Sequence, residues 1–151
     1  MNWDAIGAIA ELVGAAGVIA TLGYLALQVR QNTISTRTSS YQAVVESISE
    51  WTRALGMEPG VAQMFVTGLS NIDALSQEER TRFGFILIAL FRNFENVFYQ
   101  HQNGVVDDTI WEGWSFRIRS NFAAPGVQVW WKNARNAYSV PFRKFLEENP
   151  L

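Results

Sequence analysis

Residues 5–27, AIGAIAELVGAAGVIATLGYLAL, form an almost unbroken apolar run that carries one carboxylate, Glu11. Helix rise is about 1.5 Å per residue, so a run of this length reaches roughly 34 Å, against a hydrocarbon core of about 30 Å. The run is long enough to span a bilayer. Trp3 and Tyr24 flank it about 31 Å apart on such a helix, a separation that places amphipathic rings at the two headgroup levels. The only charge ahead of the run is Asp4, whereas a cleavable signal peptide opens on a positive segment, so the run reads as an uncleaved anchor. Arg30 and Arg37 follow it, acidic residues return only at Glu46, and the N-terminal flank has no Lys or Arg. That asymmetry predicts a single-pass protein with its N-terminus outside and its body in the cytoplasm. The competing expectation is a buried core helix of a soluble all-α protein, a reading that the interruption at Glu11 favours.

Steps of three and four along the run collect Asp4, Gly7, Glu11, Gly14, Val18, Thr21, Leu25, Gln28 and Asn32 on one stripe, opposite Ile6, Ile9, Val13, Ala16, Ala20 and Leu27. In lipid, helices associate through small residues that allow close approach and polar groups that find partners. Gly7, Glu11, Gly14, Thr21 and Gln28 are therefore the expected helix-association seam of a homo-oligomer. A charge near the bilayer centre costs about 2.5–3.5 kcal/mol on insertion scales. Glu11 has three ways to meet that cost: it reaches the outer headgroups, it sits protonated between helices, or it joins a ring lining a pore. Val18 and Leu25 on the same stripe would close a pore with dry constrictions, so a packed seam is the simpler reading.

No Gly or Pro occurs between Gly23 and Gly56, and Leu27, Ile34, Tyr41, Ile48 and Leu55 recur every seven residues across the polar stretch NTISTRTSS. This favours a continuous helix over a flexible linker, although the polar stretch has poor helix propensity and offers a place to kink. The expected division is a membrane-spanning helix with short flanks at 1–33 and a cytoplasmic helical bundle at 34–151. Gly56 and Pro59 should end the first helix, and a short helix at 60–69 should turn Met64, Phe65 and Leu69 inward. Ser76 with Glu79 forms a capping-box pattern for a helix running to about Gln102, with Gly104 as its stop. Its middle, FGFILIALF, is apolar on every side but about half the length of a span, so it reads as the central core helix. Asp107 or Asp108 should cap a helix through Ile110, Trp114, Ile118 and Phe122, ended by Pro125 and Gly126. A segment with Val127, Trp130, Trp131, Ala134 and Tyr138 follows, then a last turn or two from Ser139 and Pro141 through Phe142, Phe145 and Leu146. Strand signals and repeats are missing. The expected fold is all-α: an N-terminal transmembrane helix continuing into a small helical bundle.

The 151 residues suit one domain with an appendage. Charged residues are 17% of the chain, below the roughly 25% of a typical soluble domain, which agrees with a lipid-facing part. A net charge of −2 provides no basic field for a phosphate backbone, so nucleic acid is not an expected partner. The absence of cysteine removes disulfides, thiolate metal sites and cysteine nucleophiles. Hydrolase, P-loop, dinucleotide and zinc-protease motifs are missing, so no enzyme activity is expected. His101 is the one histidine and position 98 is Phe, so the paired Glu-x-x-His design of bundle metal centres is not met. No metal or cofactor is expected, and His101 suits the carboxyl end of its helix.

Arg92, Glu95, Asn96 and Tyr99 lie three and four apart on one side of the core helix. They are candidates for the polar end of a ligand pocket. The plainer expectation is an Arg92 to Asn96 and Glu95 to Tyr99 ladder on a solvated edge. Trp111 and Trp114 fit core packing with Ile118 and Phe122. Trp130 and Trp131 are adjacent, so one ring should lean outward, and they are candidate interface aromatics. Arg117, Arg119, Lys132 and Arg135 lie near enough in sequence to meet lipid phosphates.

The opening WDAIGAIAELVGAAGVIATLGYLALQVRQNT and the later WWKNARNAYSVPFRKFL resemble a family of small, uncharacterised bacterial proteins, each with one N-terminal membrane helix and a helical cytoplasmic body. The resemblance covers most of the chain and implies that layout in a bacterial inner membrane, with no activity and no catalytic residues to carry over. The expected function is a non-enzymatic, membrane-tethered, self-associating scaffold or sensor module. Its expected partners are membrane lipid, further copies of itself, and a protein or small ligand. The alternative is an oligomeric ion channel or transport subunit with Glu11 in the helix seam.

Overall fold

The computed structural model describes residues 3–58 and 60–148, apart from the side chains of Asp4, Ala5, Ala10 and Ala54. Among the described residues the protein is all-α, with no strand. Six α-helices follow one another: α1 (Trp3–Met57), α2 (Val61–Ser70), α3 (Gln77–Gln102), α4 (Asp108–Phe122), α5 (Pro125–Ala134) and α6 (Val140–Glu147). Single 3-10 turns at Ile72–Ala74 and Arg135–Ala137 connect α2 to α3 and α5 to α6.

α1 runs without interruption through NTISTRTSS. Thr33 and Thr38 donate their hydroxyls to the carbonyls of Val29 and Ile34 at 2.9 and 3.0 Å, which satisfies those side chains inside the helix. Gly56 falls in its last turn, while Pro59, the other expected stop, lies outside the described residues. The chain divides into two compact units, Met1–Ser39 and Ser40–Leu151. The division falls inside α1, a little beyond the expected 33/34 boundary. Ile34 is still exposed, whereas Val44 is fully buried in the second unit, with Ile48, Trp51 and Leu55 packed against its core.

The second unit is built around α3. Phe83, Leu87, Leu90, Phe91, Phe94, Val97 and Phe98 are all buried, and their spacing of three and four makes a wide inward stripe. Its apolar middle is not covered evenly, since Phe85 is 68% exposed and Ile88 45%. The Ser76 and Glu79 capping box is formed, with Ser76 N donating to Glu79 Oε2 at 2.8 Å and Glu79 N to Ser76 Oγ at 3.3 Å. Hydrogen bonding from the Ser76 side chain, and then from its backbone N–H, holds the Glu79 carboxyl below its ordinary range. At the other end Gly104 takes a φ of 66°, a left-handed conformation that glycine adopts without a Cβ penalty. Asp107 caps α4 by accepting from Ile110 N at 3.0 Å.

Pro125 and Gly126 do not act only as a stop. Pro125 opens α5 at its first turn, where its missing N–H is of no consequence. Gly126 is buried, and a Cβ there would collide with the carbonyl oxygen of Gly68 on α2, so the glycine lets α5 close on α2. At Gly68 itself a Cβ would instead meet the Phe83 ring and the Leu75 side chain. Phe91 is the hub of the core, with ring centroids of Phe94, Phe122, Trp130, Trp131 and Tyr138 between 5.3 and 6.5 Å away.

Candidate functional site

Within the first unit, the described side chains of the apolar run are exposed all round, from Ile6 at 50% and Leu12 at 74% to Ile19 at 71%. Gly7, Glu11, Gly14, Thr21 and Gln28 are all exposed. A Cβ at Gly7 or Gly14 would meet nothing within 4 Å, so larger residues fit there without disturbing the helix itself. The Thr21 hydroxyl donates to Gly17 O at 2.8 Å. It is already satisfied within its helix and needs no partner across a seam. Asp4, the remaining carboxylate of the stripe, has its side chain outside the description.

In the second unit the polar group on α3 is brought together, in a different pattern from the expected ladder. Arg92 Nη1 binds Glu95 Oε2 at 2.7 Å, and Arg92 Nη2 donates to Ala137 O at 2.8 Å. Glu95 Oε1 accepts from Ser139 N at 2.7 Å, at the N-cap of α6, where the Ser139 side chain makes no cap bond of its own. The Arg92 guanidinium also lies over the Tyr138 ring at 4.6 Å. Asn96 accepts from Gln100 Nε2 at 3.4 Å, and Tyr99 is 65% exposed. All four line a hollow of about 620 Å³ with Phe98, Gln102 and Ser139. Arg92 and Glu95 spend their charge on the chain between α5 and α6, which makes them a clamp.

Trp131 is a core residue, 4% exposed, donating its indole N–H to Glu147 Oε1 at 2.9 Å. Glu147 is also held by Arg135, and these bonds keep its carboxyl below the ordinary range, Arg135 being the larger cause. Trp130 is half-buried among Phe91, Trp131 and Tyr138. Of the two expected interface aromatics, Trp131 is therefore removed from the surface, because its ring completes the cluster around Phe91. His101 stacks on Trp111 at 4.5 Å and pairs with Asp108 at 3.1 Å, near the end of α3.

Sequence reasoning missed a cleft between the last part of α1, from Ser40 onward, and the helices beside it. A hollow of about 450 Å³ is walled by Ile48, Trp51, Leu55, Phe65, Leu69, Leu90, Phe94 and Trp114, with Thr52, Arg117 and Asn121 as its polar residues. A second hollow, bounded by Tyr41, Ile110 and Gly113, shares Trp114 and Arg117. The only signals were local ones: Ile48, Trp51 and Leu55 share a face of α1, and Trp114 and Arg117 stand three apart on α4. That these faces meet is a long-range fact that neither stretch carries. The arrangement of one apolar cavity with a few polar groups is that of a small-molecule binding site, whose usual volume is about 300–1,000 Å³.

Fold and cleft together define a helical protein with a concave, largely apolar site on its second unit. Comparisons with protein-family models, with curated proteins and with solved structures found no match.

Proposed function

We propose that the protein is a non-enzymatic, membrane-tethered, self-associating scaffold or sensor module whose second unit binds a ligand or a protein. The proposed setting is a bacterial inner membrane, single-pass, with the N-terminus outside and the helical domain in the cytoplasm. The observation that carries the reading is the first part of α1. It is long and apolar enough to cross a membrane, and the hydrophobic window within it is 0% buried by the rest of the chain. A core helix of a soluble protein would have that surface covered. Lipid and further copies of the same helix are its natural surroundings, and the seam of Gly7, Glu11 and Gly14 supports the second.

The test is fractionation and crosslinking of the full chain in membranes. The protein should sediment with membranes and resist extraction by salt and alkali. Gly14→Leu should reduce the crosslinked oligomer several-fold with no loss of helix content, since a side chain at this position meets nothing in the single chain. A monodisperse protein in the detergent-free soluble fraction would overturn the tether. An unchanged oligomer in the variant would overturn the seam.

A further inference from the structure

We infer that the cleft along α1 binds a small carboxylate with an aromatic or branched apolar body, an inference that rests on the ligand-binding reading of the second unit. Three observations set the chemistry. Most of the lining residues are apolar and rich in rings, with Trp51, Phe65, Phe94 and Trp114 around the 450 Å³ hollow and Thr52, Arg117 and Asn121 as its polar part. A flat or branched hydrocarbon body matches them better than a sugar or a peptide, whose polar groups would go unpaired.

The hollow has one cation. Arg117 makes no ion pair among the described residues, in contrast to Arg80, Arg82, Arg92 and Arg135, each of which has a carboxylate partner within 4.0 Å. A single guanidinium presents a planar fork that fits one carboxylate in two parallel hydrogen bonds. A phosphate dianion would be left half-neutralised.

The indole N–H of Trp51 is buried and has no hydrogen-bond partner, although Trp51 lines this hollow. An unmade bond of this kind is uncommon in a native interior, but an N–H closed to water is closed to a ligand oxygen in the same hollow, so the anion is left to Arg117. Asn121 and Thr52 complete the polar part of the lining; Asn121 Nδ2 already donates to Arg117 O at 2.9 Å and Thr52 Oγ1 to Ile48 O at 2.8 Å, which steadies the residues around the cation. Arg117 also borders the neighbouring hollow beside Tyr41, so it is placed to meet an anion from either side.

The experiment is calorimetric titration of the full chain in lipid nanodiscs with 2-naphthoate and with its neutral analogue 2-naphthamide, empty nanodiscs providing the background. Naphthoate should bind saturably, and the amide at least tenfold more weakly. Arg117→Gln should weaken naphthoate at least tenfold and leave the amide unchanged, while Arg117→Lys should recover part of the loss. Arg117 is exposed, so these variants keep the fold, and a cavity-filling Thr52→Trp should abolish binding of both compounds. Equal binding of naphthoate to wild type and Arg117→Gln would overturn the carboxylate assignment. If the amide then binds as well as the acid and Thr52→Trp blocks both, the cleft stands as a ligand site of another chemistry. Absence of saturable binding by either compound would overturn this inference together with the cleft as the ligand site, leaving the tether and seam to be judged by fractionation.

Discussion

At Gly126 the backbone of α5 is close enough to α2 that a single methyl group would strike the Gly68 carbonyl. Gly126→Ala should therefore cost about 3 kcal/mol or more, at the upper end of overpacking penalties because the obstacle is backbone and cannot rotate away. Thermal unfolding of the variant checks this. Tyr138 presents the opposite case. Its ring is buried, its hydroxyl has no hydrogen-bond partner, and burial pushes its ionisation up to about 12, with Glu95 reinforcing and Arg92 opposing the shift. Tyr138→Phe removes an unsatisfied group and keeps the ring, so it should be at least as stable as wild type. Because the folded value lies above the unfolded 10.0, the unfolded chain loses its proton first. The wild type should then lose stability as pH rises from about 10 to about 12. Denaturation profiles over that range should show the variant spared this loss.

At the scale of elements, ends were more legible than partners. The Ser76 capping box, the Asp107 cap and the Gly104 stop are written in side chains within four residues of the backbone they serve, and all three are formed. Ser76→Ala should cost about 1 kcal/mol by undoing a reciprocal cap, measurable as a lowered denaturant midpoint with an unchanged slope. That α3 lies at the centre of the core was legible from its apolar middle, although that run did not say which face turns inward. The Arg92 and Glu95 clamp was not, because its partners, Ala137 and Ser139, lie more than forty residues on. The outward turn of Phe85 escaped too, in a run whose every position is apolar and therefore carries no period. Pro125 was readable as a boundary, yet its sense depends on whether a helix ends before it or begins at it, and the buried glycine beside it decides for the second. The cleft was the least legible of all, being a gap between two faces rather than a property of either.

For the whole molecule, the channel alternative and the scaffold reading separate in planar bilayers. A seam predicts no current from the reconstituted oligomer, in wild type and Glu11→Gln alike. A cation-selective current that falls or loses selectivity in the variant would favour the channel. The continuity of α1 bears on how such a protein can be used. The boundary between the two units falls at Ser39 and Ser40 within this helix, and no Gly or Pro intervenes between Gly23 and Gly56. Proteases cut extended chain, so a helix has to open locally before it can be cleaved. Limited digestion should therefore be slower around Ser39 and Ser40 than at the turns between the later helices, a difference that mapping of the first fragments would show.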